Sequence, residues 1–242
     1  MPGRLGHHPG MRSLPGALVI VAAVLAAACS SVDPAAKADI DRRVAMLQPA
    51  STGFPPPTPG VFLPMPFAVG QWAQYKLAND KGEPSFLTHK IVGQEGDAVW
   101  LESVTEGYQG KTVTKMLVAF GNRMDPNQVQ IRAVKMKDHK GTITEMPEPV
   151  VSMLQSTYRG AVSAFVISWQ GLPQESAVVP AGRFDGTFKT RSEAQWGPWR
   201  STADSWSHPS VPLSGVVRSQ GVDHPFTMEL VAFGASGAVA EL

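Results

Sequence analysis

The chain has 242 residues, enough for one large domain or two small ones. Hydrophobic residues make up 43% and charged residues 17%, which suits a chain that buries a core and excludes a disordered one. The formal net charge of +1 lacks the concentrated basic surplus that phosphate binding needs, so nucleic acid is excluded as a partner.

The chain opens with Arg4 and Arg12 as its only charged residues before Cys29. Leu14 to Ala28 is free of charge, with the apolar run Ala17 to Leu25 at its centre and the small residues Ala26, Ala27 and Ala28 at its end. This order predicts an export signal over residues 1–28, with small residues where a peptidase must approach the backbone. Met11-Arg12-Ser13-Leu14 is itself a normal signal start, which leaves Met1 and Met11 both open as initiators. The stretch falls short of the about 20 apolar residues that a retained span needs, and it holds Pro15 and Gly16.

Leu25-Ala26-Ala27-Ala28-Cys29 resembles the bacterial lipoprotein box, with the favoured leucine one position early. The resemblance implies cleavage before Cys29, diacylglycerol on its sulfur and a further acyl chain on the new amino terminus. Each buried methylene contributes about 0.8 kcal/mol, and two chains already hold a protein stably on a membrane. Ser30 and Ser31 follow where an aspartate retains such proteins in the inner membrane, so the resemblance implies an outer-membrane address facing the periplasm. Cys29 is the sole cysteine, and its lipidation leaves no thiol for a disulfide or a nucleophile. The mature chain keeps 19 of the 21 basic residues against 20 acids, a net of −1.

Residues 29–60 read as a lipidated, proline-rich tether. Asp33-Pro34 predicts the start of a short surface helix, with Ile40, Val44 and Leu47 on one face. Pro49 to Gly60 predicts an extended spacer, because its prolines oppose helix and sheet. Beyond it, 23 glycines and 21 prolines favour a turn-rich β body over 61–242. Ala73, Tyr75 and Leu77 alternate with polar residues, Asn79 to Gly82 turns, and Leu87, His89 and Ile91 form one face of the next strand. Gly93 to Asp97 turns again before Val99 and Leu101. Lys111 to Phe120 is the longest strand candidate, and Val129, Ile131 and Ala133 alternate beyond it. These short connections predict an antiparallel meander with one buried face and no parallel crossover. Pro149 to Trp169 breaks the pattern, with Val150, Val151, Leu154, Tyr158, Ala161, Val162 and Phe165 near helical spacing between Pro149 and Gly171. Strands resume over 176–179, 183–191, 199–207, 213–220 and 225–233.

The expected fold is therefore mainly β: a strongly curved antiparallel sheet, an incomplete barrel of about ten strands, wrapped around one long helix near 149–169. Val179-Pro-Ala-Gly-Arg-Phe184, Trp206-Ser-His-Pro-Ser-Val-Pro-Leu213 and the stretch Glu229 to Ala238 resemble the second half of uncharacterised bacterial envelope proteins near the lipoprotein-localisation-factor fold. That resemblance implies an incomplete barrel with helices over its mouth.

No nucleophile elbow, zinc-protease helix, phosphate loop or dinucleotide fingerprint is present. The mature histidines His89, His139, His208 and His224 have no zinc-ligand spacing, so neither a metal nor another cofactor is expected. Trp196, Trp199 and Trp206, with Arg191 and Arg200 nearby, read as core or rim residues rather than a sugar platform. Glu95, Asp97, Glu102 and Glu106 read as solvated acids of hairpins rather than a glycosidase pair. The expected protein is a non-enzymatic lipoprotein held to the membrane by its anchor. It would bind an acyl chain or a lipidated protein in a groove lined by Tyr75, Leu87, Ile91, Leu101, Leu117, Ile131, Leu154, Tyr158 and Phe165. An interaction lipoprotein without a ligand, and a hydrolase of envelope polymer, are the alternatives.

Overall fold

The computed structural model describes residues 32–48, 51–121, 128–152, 168–196 and 199–242. Helix α1 spans Pro34–Ala45 and starts as the sequence predicts. The Asp33 carboxylate accepts the N–H of Ala35 at 2.8 Å and of Ala36 at 3.4 Å, which satisfies donors that the first turn leaves free. Pro34, with no N–H to lose, fits the first helical position. Ile40 is buried, and Val44 and Leu47 are half-buried. The Arg43 guanidinium lies 4.0 Å over the Phe86 ring and pairs with Glu106 at 3.1 Å, so α1 docks on the first strands of the sheet.

Twelve strands form one sheet among the described residues. They are β1 Gly53–Phe54, β2 Trp72–Ala78, β3 Pro84–Glu95, β4 Ala98–Gly107, β5 Gly110–Ala119, β6 Gln130–Lys137, β7 Ile143–Glu145, β8 Gln174–Val179, β9 Gly182–Trp196, β10 Trp199–Ser207, β11 Val216–Gly221 and β12 Thr227–Gly234. The pairing order is β1-β9-β10-β11-β12-β2-β3-β4-β5-β6-β7, with β8 also on β9. Two antiparallel meanders, β2 to β7 and β8 to β12, therefore join at a seam where Leu230 pairs with Tyr75 and Met228 with Leu77. The sheet is not closed into a barrel.

Register separates two faces, because side chains alternate along every strand. Tyr75 pairs with Leu87, Ile91 with Leu101, Leu101 with Met116, and Val118 with Ile131. These residues share the core face, and their cluster continues through Val217, Leu230 and Phe184. Val211 and Leu213, from the loop between β10 and β11, and Val151 join it. That loop is buried, and Leu213 has φ 66°, a left-handed backbone unusual for a branched residue. Gly215 explains part of the packing. It has φ +73°, and a Cβ there would lie 2.4 Å from the Trp169 ring.

Several expectations need correction. The sheet is mixed, because β1 pairs with β9 in parallel, Gly53 with Arg183 and Phe54 with Phe184. The proline-rich spacer is thus partly built into the sheet, since a pairing of two residues needs little backbone that proline would block. β7 is a further strand that three exposed residues gave no alternation to find. One long helix over 149–169 is not supported. A helical turn covers 148–152, Trp169 lies outside any helix, and residues 153–167 fall outside the described ones. Alternation along β5 puts Leu117 on the face opposite Met116 and Val118, against Ala98 and Trp100. A bulge in β6, where the register shifts between Leu117 and Val118, carries Ala133 to that far face and away from Ile131.

Candidate functional site

The core face is the surface on which sequence and structure meet. Tyr75, Leu87, Ile91, Leu101 and Ile131 lie together there, none more than 6% exposed. Leu117 does not belong with them; its strand position turns it to the opposite face, and Met116 takes the place expected of it. Leu154, Tyr158, Phe165 and Cys29 lie outside the described residues.

Polar groups interrupt this hydrocarbon in a restricted way. His89 sits between Leu87 and Ile91 on β3, and its Nδ1 lies 2.8 Å from Ser103 Oγ on β4. Burial pushes the imidazole pKa down to about 4, so the ring is neutral near pH 7. The Tyr75 hydroxyl donates to Val216 O at 3.1 Å, and burial pushes its pKa upward. Farther along the face, Ser205 Oγ lies 2.9 Å from Ser219 Oγ. All of these groups are uncharged. Such a surface suits hydrocarbon and a neutral polar atom, and it opposes a charge, which would lose its hydration there.

Extending the alternation from Leu101 identifies Ser103 as a core-face residue. The alternation named from the sequence ends at Leu101, two residues before it.

The far face carries charge. Glu102 is wholly buried, which corrects the expectation of a solvated acid. Its carboxylate accepts the N–H of Glu241 at 3.0 Å and of Leu242 at 3.1 Å, and Lys90 Nζ lies 3.5 Å away. No local signal marks this role, since the partners lie 139 and 140 residues along the chain. The other acids are held separately. Glu95 accepts from Trp100, Asp97 forms a two-point pair with Arg132, and Glu106 meets Arg43 and Lys111. Trp206 stands on the far face between Lys189 and Arg218, with its N–H on Glu175 at 2.9 Å. Arg191 pairs with Asp204. Trp196 and Trp199 pair across the β9–β10 hairpin by register.

His139 and His224 are exposed in turns, while His208 is buried beside Phe184. Among the described residues no group of three or more His, Cys, Asp or Glu side chains is placed to hold a metal ion. No helix among them is long and apolar enough to cross a membrane.

No protein-family model, curated protein or solved structure matches this chain.

Proposed function

We propose that this protein is a non-enzymatic outer-membrane lipoprotein, anchored through Cys29. On this reading its core face holds an acyl chain or the lipid of a lipidated protein. One observation carries the ligand reading. A single apolar face runs across both meanders of an unclosed sheet, and the polar groups on it are neutral. Hydrocarbon buried there gains about 25 cal/mol per Å². The His89–Ser103 pair is uncharged, so this face suits an ester or amide group better than a carboxylate. The side chains of this face touch one another, so an entering chain displaces contacts already made. Affinity is then the difference between two apolar environments rather than the full transfer from water.

The lipid anchor predicts that radiolabelled palmitate is incorporated by the native chain and not by Cys29→Ala. The ligand reading is tested by titrating the exported Cys29→Ala chain with a fluorescent fatty acid or its methyl ester. The expected result is saturable binding near one per chain, tighter for the ester and weakened by Leu101→Trp. Absence of saturable binding to either compound ends the ligand reading and leaves the anchor untouched.

A further inference from the structure

Residues 52–57 were expected to be part of a free spacer, yet they lie clamped on the sheet. β10 occupies one edge of β9 from Phe188 to Trp196 and then leaves it after Ser207. β8 occupies the other edge down to Gly182. A strand has only two edges, so β1 fills the lane that β10 vacates, on Arg183 and Phe184. Arg183 N–H donates to Thr52 O at 2.9 Å. Phe54 stacks on Phe184 with centroids 4.3 Å apart and packs against Phe233 at 5.5 Å. Gly182 makes the approach possible, because a Cβ there would lie 2.5 Å from Thr52 O.

The first residue after β10 meets the first residue after β1. His208 Nε2–H donates to Pro55 O at 3.1 Å, and its Nδ1 accepts the N–H of Ser210 at 3.2 Å. Those two bonds fix the neutral tautomer with its proton on Nε2. The ring also lies against Phe184, and its backbone N–H donates to Gly215 O.

We propose that residues 52–57 are a releasable strap and that His208 is its catch: neutral His208 holds the strap on β9, and protonated His208 lets it go. A proton on Nδ1 faces the Ser210 N–H, donor against donor. It also places a charge in a site walled by Phe184, Pro55 and the buried loop. No charged side chain among the described residues faces the ring from β9, from the strap or from its own loop. The charged ring would donate more strongly to Pro55 O, but burial outweighs this and moves the His208 pKa below its ordinary value. The docked state therefore rejects a proton that the released state accepts. Docking is fully present above pH 6.5 and weakens as the pH falls below it. If the chain is anchored at Cys29, release of Gly53 to Pro57 adds about 15 Å of reach at about 3.1 Å per residue. That consequence rests on the lipoprotein reading; the strap and its catch do not.

The test follows amide resonances and exchange in the full chain in detergent micelles between pH 8 and pH 5. Protection of the Arg183 amide, relative to amides of β4, should fall about tenfold for each pH unit of His208 protonation. The Phe54 amide should move with it, while β2 to β5 stay unchanged. His208→Gln keeps a donor for Pro55 O and cannot ionise, so the transition should vanish with the strap docked. Phe54→Ala should loosen the strap at pH 8 without disturbing β2 to β5. Strap signals unchanged in the native chain down to pH 5, a transition retained in His208→Gln, or collapse of the whole body in Phe54→Ala would each overturn the proposal. If His208→Gln does not fold, the imidazole titration of native His208 decides. A midpoint coinciding with the strap transition supports the catch, and a separate midpoint sinks it.

Discussion

His89 is held between Leu87 and Ile91 with Ser103 as a neighbour, and that placement sets a pH dependence. Burial depresses its pKa from 6.5 to about 4. Above pH 6.5 the folded and unfolded chains both hold a neutral ring, and the stability is intact. Below it the unfolded chain binds a proton that the folded chain refuses, so stability falls until the folded pKa is reached. At about 1.4 kcal/mol per pKa unit the loss by pH 4 amounts to roughly 3 kcal/mol. Urea midpoints at pH 7.5, 5.5 and 4 measure it. His89→Gln, which keeps a hydrogen-bonding group beside Ser103 and does not ionise, should show a flatter fall than the native chain. Equal slopes in the two chains would mean that His89 is not the group responsible.

At the scale of one element, α1 stands on its cap, on buried Ile40 and on the contact of Arg43 with Phe86 and Glu106. Asp33 holds two N–H groups of the first turn, and Asp33 N–H itself donates to Tyr108 O at 2.8 Å. Lys37, by contrast, meets Asp41 and the Tyr108 ring on a solvated surface, where ion pairs contribute little. Asp33→Ala should therefore cost about 1 kcal/mol of stability. Lys37→Ala should leave the thermal midpoint within measurement error. A reversed ranking would show that the helix is held by its surface charges instead. The aromatic stack at Trp169 belongs to this scale as well: its ring lies 5.4 Å from Phe188 and over Gly215, joining the segment before β8 to the buried loop after β10.

Across the whole molecule, two ties between the meanders stand out among the described residues. The first tie is the β12–β2 seam. The second is the segment after β12, which folds back over the far face of the first meander. Ala238 N–H donates to Gly70 O, and Trp72 donates to Ser236 O. Lys90 and Lys111 each reach Glu241 at 2.7 Å, and Lys115 donates to Leu242 O. Burial pushes the Glu241 carboxyl up, but the hydrogen bonds from Lys111 and Lys90 together outweigh it, and its pKa moves down. Glu102 is the centre of this closure. Glu102→Ala would strand two backbone donors and take one carboxylate from Lys90, at a cost of about 2–4 kcal/mol, since hydrogen bonds to charged groups are worth about 1.5–3 kcal/mol each. Glu102→Gln should cost less, because one acceptor oxygen remains. Chemical denaturation ranks the variants, and faster exchange of the Glu241 and Leu242 amides should accompany the loss. A stable Glu102→Ala chain with unchanged exchange would show that the closure is held elsewhere.

The strands β2 to β6 and β8 to β12 were legible because a period of two is a local property. Ala73, Tyr75 and Leu77, or Leu87, His89 and Ile91, declare a face without any partner. The Asp33-Pro34 helix start was legible for the same reason. The core-face residues Tyr75, Leu87, Ile91, Leu101 and Ile131 followed from that alternation, whereas Leu117 did not, because the run from Met116 to Phe120 is apolar throughout and names no face until β4 is paired with it. The β6 bulge that turns Ala133 away from Ile131 is likewise visible only once the opposing strand is in place. Docking of Gly53 and Phe54, the seam between β12 and β2, and the burial of Glu102 under residue 241 were decided by the tertiary structure alone. Each joins segments far apart in the chain, and their contact energies come from backbone pairing and desolvation that no short stretch of sequence encodes.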